Sequence, residues 1–296
     1  MRVGLQLPSF SFPGGTPSIG PTLDEVAQAA EHAGFASLWV MDHFFQLPED
    51  TGLGGPHEPM LEAYTTLGYL ARATRSIDLG PMVAGVHFRP PGVLLKAATT
   101  LDVLSGGRSY FAVGAGWYER EALGLGIPFP ARRERFEALE DLLRAAHQVW
   151  SDEQLHPFEG RQLRMAEPIL EPRPLQRPRP RIMIGGGGER RTLRLVAQYA
   201  DACNILVPDP GESRAKLEVL RRHCDEVGRD YGEIEKTALV ETDLRPGASS
   251  AAEVVGQLLR QREEGIEHVI VNLPDVHLPE RIETYRRQII PEVAAA

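Results

Sequence analysis

Short apolar runs alternate with longer amphipathic stretches along the whole chain. The short runs are rich in β-branched and aromatic side chains, which favours strands. Some of them, such as the run 268–273, carry an unbroken apolar stretch, which is typical of strands buried on both faces of a parallel sheet. The pattern predicts eight strands, at 3–8, 37–41, 77–84, 109–114, 181–184, 202–207, 236–241 and 268–273.

The amphipathic stretches between these runs predict helices that cover the sheet. In the clearest of them, 132–150, apolar residues recur at three- and four-residue intervals. Thr22 and Glu25 have the spacing of a capping box, so we expect the first helix to begin at Thr22 and to end at Gly34. Further helices are expected at 64–75, 91–105, 190–199, 212–227, 251–264 and 279–290.

Eight strands that alternate with helices indicate an α/β fold, and eight is the number of strands that closes a (β/α)8 TIM barrel. We therefore expect a single domain over residues 1–296. A doubly wound sheet is the competing architecture, but the loop 9–20 after the first strand lacks a GxGxxG turn. The segment 151–180 contains six prolines and no clean period, and we interpret it as an irregular insertion after the fourth βα unit.

Composition and charge narrow the functional classes. The chain has 41 acidic and 32 basic side chains, a formal net charge of −9, which disfavours nucleic acid or an anionic membrane as a partner. Only Cys203 and Cys224 are present, which excludes a disulfide framework or a cysteine zinc cluster. There is no signal-peptide pattern or apolar run long enough to span a membrane, so we expect a cytoplasmic protein. An HExxH motif is absent and the nine histidines are scattered, so we expect no metal site.

Two glycine-rich turns follow the fourth and fifth predicted strands. Glycine lets a ligand approach the backbone closely, and exposed amides near a helix start suit a phosphate group. The alternative is that these glycines only permit tight turns between strand and helix. The residues concerned are Gly114, Ala115 and Gly116 in the first turn and Gly185, Gly186, Gly187 and Gly188 in the second.

Asp42 and His43 end the second predicted strand, at the edge where barrel enzymes carry their functional side chains. A histidine there is suited to act as a general acid or base near neutral pH. The alternative is a structural histidine packed on neighbouring phenylalanines. Trp117 follows the first glycine turn and is either a core aromatic residue or a wall for a planar ligand. For Arg89, a structural role is at least as well supported as a catalytic one.

Four stretches carry a family resemblance that covers nearly the whole chain. They are LWVMDHF, LGPMVAGVHFRPPGVLLKAATTLDVLSGGR, FAVGAGWYEREALGLGIPFP and IMIGGGGERRTLRLVAQYADACN. In this order they resemble the bacterial luciferase-like flavin superfamily, and within it the luciferase-like class of coenzyme F420-dependent oxidoreductases. The resemblance implies a (β/α)8 barrel with an insertion after strand four or its helix. It also implies that F420 or FMN binds at the carboxyl-terminal mouth of the barrel.

The resemblance implies roles for particular residues. Asp42 and His43 lie at the position that faces the deazaflavin, and His43 is the expected catalytic residue. A non-prolyl cis peptide is implied at the end of strand three, at the Met82–Val83 bond or a neighbouring one, so Met82, Val83 and Ala84 are expected at the cofactor. The phosphate end of the cofactor falls on the two glycine turns and Trp117. Relatives that oxidise a sugar phosphate carry a glutamate where this chain has Trp117, which argues against such a substrate.

Three functional hypotheses follow from these observations. The first is an oxidoreductase that transfers a hydride between F420 and an unidentified small organic molecule. The second is a monooxygenase that uses reduced FMN and oxygen. The third is a barrel that binds a phosphorylated ligand without redox chemistry, because the fold alone does not fix the activity. We also expect a homodimer.

Overall fold

The computed structural model describes residues 1–151, 156–206 and 211–295. Strands and helices alternate along most of this length. The strands are β1 Arg2–Leu7, β2 Ser37–Val40, β3 Asp78–Pro81, β4 Ala84–Gly85, β5 Tyr110–Gly114, β6 Phe158–Glu159, β7 Arg164–Met165, β8 Arg181–Gly185, β9 Ala202–Leu206, β10 Glu235–Glu241 and β11 His268–Asn272. The helices are α1 Ile19–Ala33, α2 Ala63–Ala73, α3 Pro91–Ser105, α4 Glu119–Gly124, α5 Arg132–Ser151, α6 Thr192–Tyr199, α7 Glu212–Val227, α8 Ala251–Glu263, α9 Pro279–Thr284 and α10 Ile290–Ala295.

Parallel strands close into a barrel. Their order is β3-β2-β1-β11-β10-β9-β8-β5-β4, and β4 continues the path of β3 after a two-residue interruption. The two ends of this sheet meet where Leu79 forms a parallel bridge with Ser109 and donates its N–H to the carbonyl of Arg108 at 2.8 Å. Counted with β3 and β4 as one strand, the barrel has the eight strands that the sequence predicts, and the doubly wound alternative is wrong.

The apolar residues form two layers, as expected for a barrel with an outer ring of helices. The larger core cluster fills the space between strands and helices, and a smaller one lies inside the barrel around Trp39, Tyr110 and Met183. Trp39 is fully buried, and a Cβ at Gly80 would come within 2.4 Å of its indole ring. Glycine at position 80 therefore makes room for the tryptophan at the centre of the barrel.

One helix start and one short helix differ from the sequence-based expectations. α1 begins at Ile19 and not at Thr22, so the predicted Thr22–Glu25 capping box is wrong. Pro21 lies in the first turn of this helix, where a missing backbone N–H costs nothing, and Ile19 is buried. The end of α1 at Gly34, in the left-handed conformation, confirms the prediction. α4 was not predicted, because its six residues are too short to show a helical period.

The segment 151–180 is irregular where the structure describes it. β6 and β7 form a small antiparallel hairpin, and the Glu171–Pro172 and Arg177–Pro178 bonds are cis. Residue 207, the predicted end of the sixth strand, lies outside the described residues. Across the described ranges, no helix is both long and apolar enough to cross a membrane. The same ranges contain no group of three or more His, Cys, Asp or Glu side chains that could hold a metal ion.

Candidate active site

A cavity of about 490 Å³ opens at the carboxyl-terminal ends of the barrel strands. Ligand sites of (β/α)8 enzymes lie at this end, and the volume is in the range of small-molecule sites. Of the residues that the sequence singles out, ten lie in the cavity wall: Asp42, His43, Met82, Val83, Gly114, Ala115, Gly116, Trp117, Gly185 and Gly186. Ala84, Gly187 and Gly188 are not among the residues that line it.

The Met82–Val83 peptide bond is cis, at the place that the family resemblance implied. The Val83 side chain fills the space beside two of the predicted glycines. A Cβ on Gly114 would lie 2.9 Å from a Val83 methyl group, and a Cβ on Gly185 would lie 2.8 Å from one. These two positions therefore require glycine because of packing against Val83, independently of any ligand.

The second glycine turn offers two free backbone amides. Gly186 adopts a φ of 116°, which favours glycine, and its N–H already donates to the carbonyl of Asn204 at 2.9 Å. The N–H groups of Gly187 and Gly188 have no partner in the part of the chain that the structure describes. Across the cavity, the N–H of Gly116 is similarly unpaired among the described residues. These amides remain available to a ligand anion.

Asp42 is buried in an ion-pair cluster at the base of the cavity. Its two carboxylate oxygens accept from Arg89 at 2.7 and 2.8 Å, and one of them also accepts from the N–H of Gly85. Arg89 also pairs with Glu62 and lies over the rings of Phe44 and Tyr64. Burial lowers the pKa of Arg89, but its hydrogen bonds to the two carboxylates outweigh this effect and raise it. Arg89 therefore stays charged and has a structural role.

His43 lies in the cavity wall with one ring nitrogen held by a buried carboxylate. Its Nδ1 is 2.5 Å from Oε1 of Glu121, whose side chain is fully buried. The other ring nitrogen of His43, Nε2, has no hydrogen-bond partner in the described part of the chain. Sequence reasoning missed Glu121 because it lies 78 residues away, on the unpredicted helix α4. Its position in the stretch after the first glycine turn was the only available signal.

Aromatic rings surround His43. Trp117 is 58% exposed and lines the cavity, so it is a wall residue and not a core aromatic residue. Its ring stacks on Tyr118 at 5.1 Å and meets the edge of His43 at 5.7 Å. Phe88 completes this side of the wall. His43 therefore packs against aromatic rings and also lines the cavity.

His87 lies behind the first glycine turn and outside the cavity wall. A Cβ on Gly116 would come within 2.2 Å of its ring, so this turn packs directly on the imidazole. Burial and, to a lesser extent, the charge of Arg135 lower the pKa of His87 to about 4. A histidine that is neutral and outside the cavity is a poor candidate for a general acid at neutral pH.

Two arginines at the start of α5 add positive charge to the cavity wall. Arg132 and Arg135 both line the cavity, and neither forms an ion pair within the described ranges. Arg135 donates from Nε to the carbonyl of Ala115 at 3.1 Å and lies 3.9 Å from the centre of the Phe129 ring. Arg135 thereby supports the first glycine turn. Sequence reasoning missed both arginines, although they begin the clearest predicted helix.

Three comparisons relate this chain to known proteins. A family model described as luciferase-like monooxygenase matches residues 1–292. A curated F420-dependent glucose-6-phosphate dehydrogenase from Kineococcus radiotolerans is 30% identical over 238 residues, which are 78% of this chain. The chain spans 66% of that relative's length, just under two thirds.

Among solved structures, an F420-dependent secondary alcohol dehydrogenase in complex with an F420-acetone adduct superposes with a TM-score of 0.82. It is 19% identical, and the match covers 99% of this chain and 98% of that one. The oxygenating constituent of 3,6-diketocamphane monooxygenase from Pseudomonas putida, in complex with FMN, superposes with a TM-score of 0.75 at 16% identity, with 99% of each chain covered. At these identities the two structures support the fold alone.

Proposed function

The chain belongs to the luciferase-like monooxygenase family, and from this premise we propose that it is an F420-dependent oxidoreductase. It transfers a hydride between the deazaflavin and a small organic substrate. The choice of F420 is supported by the curated relative, which is named for this coenzyme. The substrate of that relative is not carried over, because the family resemblance implies a glutamate at the position of Trp117 in relatives that oxidise a sugar phosphate.

One observation carries the reaction type. His43 lies in the wall of the cavity, its Nδ1 is held by Glu121, and its Nε2 is free of partners in the described chain. Hydride transfer at the carbon of an alcohol, amine, ketone or imine is coupled to proton movement on the oxygen or nitrogen attached to that carbon. A fixed imidazole with a free ring nitrogen can accept or return this proton. His43 is thus the proposed catalytic acid–base residue.

The residues around the cavity fit an anionic, planar cofactor. F420 supplies a ring carbon that accepts or donates the hydride. Gly116, Arg132 and Arg135 line the cavity, and the unpaired amide of Gly116 and the two guanidinium groups suit its phosphate. The unpaired amides of Gly187 and Gly188 follow the lining residue Gly186 and would extend this phosphate site beyond the cavity wall. We place the flat ring system at the Met82–Val83 end, near Asp42 and His43.

The remaining wall residues would position the ring and exclude water. Asp42 is fixed by Arg89, so this side of the cavity is rigid before any ligand arrives. Trp117 and Phe88 present apolar surface next to His43. Apolar walls lower the local dielectric, which strengthens the interaction between His43 and a substrate hydroxyl or carbonyl group.

The test of this proposal is a redox screen with purified protein. Oxidised F420 is incubated with alcohols and amines, and reduced F420 with ketones, imines and activated alkenes, while the deazaflavin absorbance is followed. We expect one substrate class to change the redox state of F420. An oxygenated product formed from a substrate with reduced FMN and oxygen, absent without the protein, would support the monooxygenase alternative. If neither F420 nor FMN gives turnover and the protein binds a phosphorylated ligand, the non-redox alternative is supported.

A further inference from the structure

Glu121 does not line the cavity, yet both of its carboxylate oxygens contact the segment that follows β2. Oε1 lies 2.5 Å from Nδ1 of His43, and Oε2 accepts the N–H groups of Phe44 at 2.8 Å and Phe45 at 3.2 Å. The side chain is fully buried, and no Lys or Arg pairs with it in the described chain. Glu121 therefore connects α4 to three consecutive residues at the active end of β2.

This arrangement determines which nitrogen of His43 carries the proton. Oε2 accepts two backbone N–H groups, and when Oε1 also acts as an acceptor, the Nδ1 atom that faces it is the donor. In the neutral ring the other nitrogen, Nε2, then keeps its lone pair. The same pairing holds the ring plane, because the carboxylate is itself fixed by two backbone donors.

We propose that Glu121 is a positioning residue, which holds His43 in the Nδ1–H tautomer and keeps the Nε2 lone pair available for the substrate proton. The proposal rests on the proposed function, since it assigns how the catalytic residue of that function is prepared. α4 follows directly on the first glycine turn, so the same short stretch contributes to the cavity wall and to the orientation of His43.

The substitution Glu121→Gln tests this role with little change of shape. The glutamine carbonyl can still accept from Phe44 and Phe45, but the amide NH₂ then faces Nδ1 and donates to it. The neutral ring would switch to the Nε2–H tautomer and lose its acceptor toward the substrate. In serine proteases, a carboxylate-to-amide change beside the catalytic histidine leaves the geometry intact and lowers turnover about 10⁴-fold for this reason.

The direct readout is the tautomer of His43, measured by ¹⁵N NMR of histidine-labelled protein at a pH at which the His43 ring is neutral. The His43 signals are assigned by their absence in His43→Ala. We expect the Nδ1–H form in the wild-type protein and the Nε2–H form in Glu121→Gln. The matched control is Glu119→Gln, an exposed carboxylate on the same helix, which should leave the tautomer unchanged. This measurement needs neither cofactor nor substrate, so it stands or falls independently of the proposed function.

The kinetic readout uses the protein with F420 and a substrate found in the screen. We expect Glu121→Gln to lower kcat at least a hundredfold while the F420 dissociation constant stays within about twofold. An Nε2–H tautomer in the wild-type protein would overturn the proposal without any variant. An unchanged tautomer in Glu121→Gln, or turnover within twofold of the wild-type value, would also overturn it.

Discussion

His43 is the residue on which the proposed reaction depends most directly. We expect His43→Ala to lower turnover at least about a hundredfold, because general acid–base catalysis typically contributes 10²–10⁴-fold. Cofactor affinity should change much less, since the phosphate contacts lie elsewhere in the cavity. Steady-state kinetics and a binding titration separate the two effects. The control is His32→Ala, an exposed histidine on α1, which should behave like the wild type. If His43→Ala turns over like the wild type, His43 contributes to packing and not to catalysis.

Gly187 distinguishes phosphate binding from a tight turn. Its φ does not require glycine, and a Cβ there would make ordinary contacts of 3.6 Å with Lys216, so the fold should tolerate a side chain. We expect Gly187→Val to raise the cofactor dissociation constant at least tenfold, about 1.4 kcal/mol, by blocking access to the free amides. Gly92→Val, at an exposed position with open space, is the control. Unchanged affinity in a folded Gly187→Val protein would assign these glycines to the turn alone.

The sequence identified site residues that lie at the end of a predicted strand, but it did not identify their hydrogen-bond partners, which are distant in the chain. Asp42 and His43 were identified because they end a buried strand, which places them at the active edge of a barrel. The hydrogen bond to Glu121 spans 78 residues, and the ion pair of Asp42 with Arg89 spans 47. Contacts at such separations depend on how the segments after β2, β4 and β5 fold onto one another. No local periodicity contains that information.

At the scale of elements, predictions succeeded where local chemistry and tertiary packing agree. α3 and α7 match the predicted bounds to the residue, and each is followed by a left-handed glycine, Gly106 and Gly228. The start of α1 was wrong because the burial of Ile19 extends the helix beyond the apparent cap at Thr22. At the start of α8, Ser250 and Glu253 form a capping box that the sequence analysis did not identify, although the two residues have the same spacing as Thr22 and Glu25.

The amino-terminal ends of the barrel strands are joined by charge pairs. Glu235 on β10 accepts from Arg2 at 2.8 Å, from Tyr110 at 2.8 Å and from His268 at 3.0 Å. Asp78 on β3 pairs with Arg2 and with Arg181, each at 2.7 Å. The network therefore connects six strands at the end opposite the cavity. In barrels, this end contributes stability and not catalysis.

Glu235 makes this contribution depend on pH. Burial acts to raise the pKa of Glu235, but hydrogen bonds from His268 and Tyr110 and the charge of Arg2 outweigh it and lower the pKa to about 2. A carboxyl group whose folded pKa lies below its unfolded value stabilises the fold above the unfolded value of about 4.5. That stabilisation is lost as the pH falls from about 4.5 towards 2.

We expect Glu235→Gln to lower the free energy of unfolding at pH 7 by on the order of 2–3 kcal/mol. The difference in the free energy of unfolding between variant and wild type should be smaller at pH 3, because the stabilisation from the wild-type carboxylate is partly lost there. Urea denaturation at both pH values measures this difference. Glu283→Gln, which removes an exposed carboxylate paired with Arg286, should have no resolvable effect. An equal deficit at pH 7 and pH 3 would mean that Glu235 acts through packing and not through charge.

At the scale of the whole molecule, the two ends of the barrel have different roles. One end is closed by paired charges, and the other opens into the cavity that is lined by His43, Gly116 and the arginines Arg132 and Arg135. The strand–helix alternation was sufficient to predict this barrel, because eight buried strands have few ways to satisfy their edges. The contents of the cavity were only partly predictable, since α4 and the start of α5 contribute residues that carry no local signature.

We propose that this cavity binds F420 in preference to FMN, and a parallel fluorescence titration of the purified protein with both cofactors tests this preference. We predict that F420 binds at least tenfold more tightly than FMN, a difference of at least about 1.4 kcal/mol. Gly187→Val should weaken F420 binding, and His43→Ala should leave it nearly unchanged. Tighter binding of FMN, or binding of neither cofactor by the folded protein, would contradict the account.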